Sequence, residues 1–334
     1  MLQHTAKQIY TAITEATCIL LIPHQHPDGD ALGAVTAFAQ WLDTLAKNYA
    51  IFCSTAISAQ LNYLDHINEI SEDPQLFQQN DLDLIIVFDS GDLRYAGVDT
   101  FIANIAHPPM IINIDHHKTN EHYGKLNLLP KQASSTSEIV YDFFSLHAVP
   151  ITPHMATSLL TGIIYDTDNF TNAATTPHAI HVASKLVNLG ANFNHIKERM
   201  YKDMPFDAFP LWGIIFSRLT KHEPLNLIYT YLTHDDLEKH QVHEDAMSGL
   251  SNFMNNIHDG YAGLVLKGTK EGTTKGSFRT TRDDVDVSTM AQHFGGGGHK
   301  KAAGFHIEKP IEEALAFVLK ELDILFPHGI LQTE

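Results

Sequence analysis

The sequence predicts an α/β protein: an N-terminal parallel sheet with helices on both faces, joined by a helical linker to a smaller α/β C-terminal domain. Three observations predict it. Short apolar runs at 18–23, 49–55, 84–89 and 110–115 are separated by helical patterns, and strands alternating with helices form parallel sheets through right-handed crossovers. The stretch from 134 to 203 then reads as mostly helical. From about 223 the composition shifts to short β-rich runs and a closing amphipathic helix. At 334 residues the chain exceeds the usual single domain. The expected boundaries are 1–190, a helical linker at 191–222, and 223–334.

Each element has a local reason. Cys18-Ile19-Leu20-Leu21-Ile22 is a continuous apolar run, as a strand covered on both faces requires. Ala31 to Lys47 follows, with Leu32, Val35, Ala39 and Leu42 at helical spacing. Leu84 to Phe88 and Ile111 to Ile114 are further buried-strand runs. Thr152-Pro153 and Thr176-Pro177 resemble helix starts, with Pro at the first helical position. Asp207 to Lys221 reads as a helix able to bridge two lobes. Leu227 to Tyr231, Tyr261 to Leu266 and Lys275 to Thr280 are β-rich, the last two joined by a turn at Gly268 to Gly272. Asp286 to Phe294 is helix-like and ends in four glycines. Ile311 to Phe326 closes the chain as an amphipathic helix.

Composition narrows the function classes. Hydrophobic residues make up 44% and charged residues 18%, ordinary for a globular protein in water. No apolar run approaches the roughly 18 residues of a membrane span, and the N-terminus has no signal-peptide core. The two cysteines, Cys18 and Cys53, lie in apolar strand-like segments, so buried free thiols and a cytoplasmic location are expected. A net charge of -17 argues against gripping long nucleic acid by counterion release. Residues 261–301 depart from that balance. They hold seven basic and four acidic side chains, +3 against -20 for the rest, which suits a small anionic ligand.

The chemistry concentrates in four clusters, each after a hydrophobic run. The first is His24, Asp28 and Asp30 within His-Gln-His-Pro-Asp-Gly-Asp. The second is Asp89, closing Leu84-Ile85-Ile86-Val87-Phe88. The third is Asp115-His116-His117, and the fourth is Asp166 in Tyr165-Asp166-Thr167-Asp168. A lone Asp after a strand is commonly a turn or cap residue. Three successive strand ends carrying Asp or His are harder to explain that way, because parallel neighbours bring their carboxyl ends together. The set is rich in carboxylate, has some imidazole and lacks thiolate. That suits Mn²⁺, with Mg²⁺, Co²⁺ or Fe²⁺ possible, and disfavours a structural zinc site. The donors exceed one ion's needs, and two divalent ions would use them all.

In this order the clusters resemble motifs I to IV of the DHH phosphoesterase superfamily. Gly295-Gly296-Gly297-Gly298-His299, with Ala302-Ala303-Gly304 after it and Gly276-Ser277-Phe278-Arg279-Thr280 before it, resembles the family's associated C-terminal domain. Length and domain order are most similar to the branch that degrades very short RNA (nanoRNA) to 5′ mononucleotides and dephosphorylates 3′-phosphoadenosine 5′-phosphate (pAp). The resemblance implies one metal held by His24, Asp28 and Asp89, and a second held by Asp30, Asp89, His116 and Asp166. His117 would contact the scissile phosphate, and Asp115 would orient the imidazoles. Arg279, Gly295, Gly296, Gly297, Gly298 and His299 would hold the far end of a short RNA, pAp or a dinucleotide. Asp92 and Arg94 match the pattern after the second cluster, with a structural role equally open. Two positions depart from it. Asp168 adds a carboxylate near the fourth cluster and is expected to face solvent. His26 stands where Asn is common and is expected to make loop hydrogen bonds.

The alternatives are a cyclic di-AMP or pApA phosphodiesterase, a RecJ-like single-strand exonuclease, a superfamily pyrophosphatase or exopolyphosphatase, and a non-catalytic nucleotide-binding protein. RecJ-like enzymes usually carry a further domain for which the chain has no room. The pyrophosphatases use a different C-terminal domain. The intact ligand set argues against a relict site. A homodimer is a further open expectation.

Overall fold

The structure, a computed structural model, describes residues 2–201, 206–242, 247, 250–254, 257 and 259–331. The chain divides into two compact units, Met1–Lys202 and Asp203–Glu334. In the first, α1 (Leu2–Glu15), β1 (Cys18–Pro23), α2 (Gly29–Thr44), β2 (Asn48–Phe52), β3 (Ile70–Ser71) and β4 (Leu84–Phe88) lead to α3 (Asp99–Ala103), β5 (Met110–Ile114) and β6 (Leu126–Leu128). Four helices follow: α4 (Thr136–Leu146), α5 (Pro153–Asp166), α6 (Pro177–Asn188) and α7 (Phe193–Tyr201).

Six parallel strands form one sheet in the order β3-β2-β1-β4-β5-β6. Side-chain alternation splits its strands between two cores. Ile19, Leu21, Ile86 and Phe88 pack with Phe38, Phe143 and Leu159 from α2, α4 and α5. Leu20, Ile22, Ile85 and Val87 pack with Phe77, Val98 and Ile102 on the other face. Both faces are covered, which is why the strands read as unbroken apolar runs. The strand order reverses between β1 and β4. Crossovers leave that point in opposite directions and open a crevice at the strands' carboxyl ends.

Helix starts follow their capping chemistry. Thr152 and Thr176 are N-caps, their hydroxyls accepting from the amides of Met155 at 3.1 Å and Ala179 at 3.0 Å. Two glycines set how closely α2 meets α4 and α5. A Cβ at Gly33 would stand 2.4 Å from the Ser158 carbonyl oxygen. One at Gly162 would stand 2.0 Å from Ser137 Oγ and 2.6 Å from Asp30 Oδ1. Helix α1, which the sequence reading did not anticipate, buries Ala6, Ile9 and Ile13 on the same core.

The second unit comprises α8 (Ala208–Ser217), β7 (Thr220–His222), β8 (Leu227–Leu232), α9 (His234–His240), α10 (Leu250–Phe253), β9 (Ala262–Gly268), β10 (Thr274–Arg279), α11 (Val287–His293), β11 (Gly297–His299), β12 (Ala302–Ile307) and α12 (Ile311–Leu325). Its sheet runs β11-β12-β10-β9-β8-β7, with only β8 and β9 parallel. The stretch 191–222 gives α7 to the first unit, and α8 and β7 to the second. Cys18 and Cys53 are free and buried. Among the described residues, no helix is long and apolar enough to cross a membrane.

Candidate metal centre

Pairing of β1 with β4 sets Pro23 opposite Phe88, so the residues that follow, His24 and Asp89, emerge side by side. The His24 ring is buried and stacks on Tyr95 with centroids 5.0 Å apart. Its Nδ1 lies 2.8 Å from the Gln25 carbonyl oxygen. Nε2 lies 3.8 Å from Asp28 Oδ1 and 3.6 Å from Asp89 Oδ2. A second-atom bond of this kind fixes which imidazole nitrogen faces a ligand.

Asp28 is the N-cap of α2, accepting from the amides of Asp30 at 2.9 Å and Ala31 at 3.2 Å. Asp30 sits in the first turn and is fully buried. Its carboxylate accepts from the Thr136 amide at 2.6 Å and the Ser137 amide at 2.8 Å. These are the first N–H groups of α4, where a helix favours negative charge. Asp89 has φ 57°, a left-handed conformation that Asp tolerates better than most side chains. Thr136 Oγ1 donates to its Oδ1 at 2.9 Å.

Asp115 at the end of β5 is fully buried. Its Oδ1 accepts from the amides of His116 and His117 and lies 2.7 Å from His117 Nδ1. Asn120 donates to the other oxygen and is itself held by Asn113 at 2.9 Å. His116 Nε2 lies 3.1 Å from Asp166 Oδ2 and 3.4 Å from Asp89 Oδ1. Asp166 is the last residue of α5. Three groupings therefore gather donor atoms within 4.8 Å of one another: His24, Asp28 and Asp89; Asp30, His116 and Asp166; and Asp89, Asp115, His116 and His117. Each could hold a metal ion.

Burial dominates the electrostatics. Burial, reinforced by the charges of Asp89 and Asp166, pushes the Asp30 carboxyl well above its usual range. Burial pushes Asp166 up to about 6 against the pull of His116. Burial also opposes ionisation of Asp89, but His116 and His24 outweigh it and hold that carboxyl well below normal. For His24 burial favours the neutral ring, yet Asp28 and Asp89 push its pKa up to about 12. Packed carboxylates whose charges oppose one another form an environment that a divalent cation relieves. The oxygen-and-imidazole donor set fits a hard or borderline ion.

The remaining candidates lie elsewhere. Asp168 is half-buried, at φ 47°, and burial raises its carboxyl. His26 is exposed, its amide donating to Thr55 Oγ1 at 2.6 Å. Neither belongs to a metal-capable grouping among the described residues. Asp92 accepts from the Tyr95 amide at 2.7 Å, and the exposed Arg94 lies 3.9 Å from Glu121. In the second unit Arg279 ends β10, donates to the Phe278 carbonyl at 2.9 Å and is pushed below its ordinary pKa by burial. The amides of Gly295 and Gly296 donate to the Gln292 and Ala291 carbonyls that end α11. Gly297, Gly298 and His299 pair with β12 as β11. The His299 side chain lies outside the described residues.

Sequence reasoning missed Thr136, Ser137 and Asn120, which position three of the carboxylates. A signal for the first two was present. Ser135 and Glu138 have capping-box spacing, and Ser135 Oγ accepts from the Glu138 amide at 3.0 Å. Nothing local shows that this helix start faces Asp30, over a hundred residues away.

Residues 18–163 match the family model described as the DHH family, N-terminal domain, and residues 225–326 match the DHHA1 domain. The chain belongs to the DHH family. Among its curated relatives is the bifunctional oligoribonuclease and PAP phosphatase NrnA of Thermus thermophilus. It is 29% identical over 310 residues, covering 91% of this chain and 90% of the relative. The probable NrnA of Streptococcus mutans is 24% identical over 306 residues, covering 89% and 92%. The crystal structure of an exopolyphosphatase-related protein from Bacteroides fragilis superposes with a TM-score of 0.90 at 22% identity, covering 97% of this chain and 96% of that one. That last likeness is one of fold.

Proposed function

We propose that this DHH-family phosphoesterase hydrolyses short oligoribonucleotides to 5′ mononucleotides and removes the 3′ phosphate of pAp. The observation that carries the reading is convergence. Side chains scattered from 24 to 166 meet at the carboxyl ends of β1, β4, β5 and α5, in a chain similar to NrnA proteins along most of its length. In this reading His24, Asp28 and Asp89 hold one divalent ion, and Asp30, Asp89, His116 and Asp166 hold a second, with Mn²⁺ the favoured metal. Ions held there would supply Lewis acidity, acidifying water and neutralising phosphate charge.

The protein's own groups do the positioning. Asp115 grips the His116 and His117 amides and the His117 ring, so both imidazoles reach the site in fixed orientations. With Nδ1 turned to Asp115, His117 directs Nε2 to a phosphoryl oxygen, offsetting charge that grows in the transition state. Thr136 holds the Asp89 carboxylate so that its oxygens stay aimed inward. In the second unit Arg279, the glycines 295–298 and His299 are proposed to hold the distal part of the substrate. The functional segments are proposed as 1–190 and 223–334, with 191–222 between them.

A turnover panel tests this: pAp, pApA, cyclic di-AMP and RNAs of two to twenty-four nucleotides, each with Mn²⁺ or Mg²⁺. Release of 5′ mononucleotides from the shortest RNAs, and of phosphate from pAp, is expected. Protein loaded with Mn²⁺ that cleaves neither is not the enzyme proposed.

A further inference from the structure

A hollow of about 300 Å³ opens beside the candidate metal centre. His116 and His117 form one wall, and His116 Nε2 meets Asp89 and Asp166. One imidazole therefore separates the hollow from the carboxylates. Lys118, His122 and Lys131 line other parts of it, with Leu129 and Pro130 adding an apolar surface. Neither lysine has a hydrogen-bond or ion-pair partner in the chain among the described residues. In a protein of net charge -17, two lysines without acidic partners on one concave surface are an excess of positive charge. The loop is also built rather than loose. Asn120 accepts from the His122 amide at 2.8 Å while its own amide donates to Asp115, and His122 is held at φ 57°. The hollow's rim and the imidazoles thus share one set of hydrogen bonds.

A volume of this size matches the small end of ligand sites and accommodates a phosphorylated sugar more readily than a polymer. We infer that this hollow takes a second phosphate of the substrate, held by Lys118 and Lys131, while the scissile phosphate lies at the carboxylates. The ligand's identity rests on the phosphoesterase reading above. What it adds is a source of preference within the first unit: a nucleotide carrying two phosphates engages both places, and a monophosphate engages one.

The test is equilibrium binding of adenosine 3′,5′-bisphosphate against adenosine 3′-monophosphate. It uses the full chain with Ca²⁺ as the only divalent ion, and recovered nucleotide is checked for integrity. Wild type is expected to bind the bisphosphate roughly tenfold more tightly, as two partly screened charge pairs allow. The double variant Lys118→Gln/Lys131→Gln is expected to bind both nucleotides within about twofold. Both side chains are exposed, so the fold is not at risk. Lys125→Gln, on the same loop but outside the hollow, is expected to keep the wild-type preference. Wild type without a preference, or a double variant that keeps it, overturns the inference. Hydrolysis is scored separately with Mn²⁺. A wild type that binds with this preference yet turns over neither nucleotide retains the hollow and loses the proposed reaction.

Discussion

Replacing Gly162 by alanine tests whether the α5 contact with α2 and α4 sets the geometry of the site. The new methyl would lie 2.0 Å from Ser137 Oγ, 2.6 Å from Asp30 Oδ1 and 2.7 Å from Ser137 Cβ. Rotating the Ser137 hydroxyl clears only the first. Regaining ordinary contact with the others requires α5 to withdraw by about 0.8 Å. Overpacking of this kind costs about 1–3 kcal/mol, and alanine's better helix propensity offsets about 1 kcal/mol of it. The net loss is up to about 2 kcal/mol, a fall in melting temperature of up to ~8 °C for a unit of this size. Activity falls further. Asp166 ends α5 and Asp30 touches the new methyl, so the donors part, and misplacement of this order costs ten- to a hundredfold or so in rate. Gly213 provides the control. It is an exposed helical glycine with nothing near its absent Cβ, so Gly213→Ala is expected to stabilise by about 0.5–1 kcal/mol. Calorimetry of both variants, with Mn²⁺-dependent turnover of pAp, decides the matter. A Gly162→Ala protein that gains stability as Gly213→Ala does, at unchanged kcat, refutes the reasoning.

Other consequences are equally open to measurement. Asp89→Asn keeps a residue tolerant of a left-handed backbone but removes charge between His24 and His116. Turnover should drop by about a thousandfold or more, with the melting temperature within a few degrees, and retention of activity would exclude the proposed metal set. Thr136→Val removes a hydroxyl that donates to Asp89 at nearly constant volume. It should cost about 1.5–3 kcal/mol in stability, which urea unfolding would register. His24, pushed up to about 12 beside Asp28 and Asp89, keeps its proton at neutral pH in the metal-free protein, and a divalent ion must displace it. Metal affinity should therefore rise with pH, about tenfold per unit for one proton. Against burial, Asp166 and Asp89 push the His116 ring up in the same way, so a chelator competition between pH 6 and 8 that returned a flat line would exclude both imidazoles as ligands.

Much of this was legible in the sequence because the first unit is a parallel sheet covered on both faces. Its strands appear as unbroken apolar runs, and the residues after them must lie together. Cys18 to Pro23, Leu84 to Phe88 and Met110 to Ile114 were visible to within a residue, and with them the placement of His24, Asp89 and Asp115. Helix α1 carried its signal in Ala6, Ile9 and Ile13, but that stretch was weighed only as a possible leader. Strand β12 was hidden, because Ala302 to Ile307 mixes small and polar residues whose pairing with β10 is nonlocal. The roles of Thr136 and Asn120 were hidden for the same kind of reason. A hydroxyl or amide signals a turn locally. The carboxylates that Thr136 meets, Asp89 and Asp30, are fixed only by the packing of α4 beside β4 and α2, and Asn120 turns to Asp115 only through the fold of the loop that follows β5.

Asp30 supplies oxygens to the candidate ion site while pegging the first turn of α4 through Thr136 and Ser137. Anyone wanting a substrate-trapping variant, one that captures a phosphoester without cutting it, should leave that position alone, since altering it would unseat a helix along with the chemistry. His116 and Asp166 are better starting points, because His116 pairs with Asp166 and Asp89 and neither side chain holds the start of a helix.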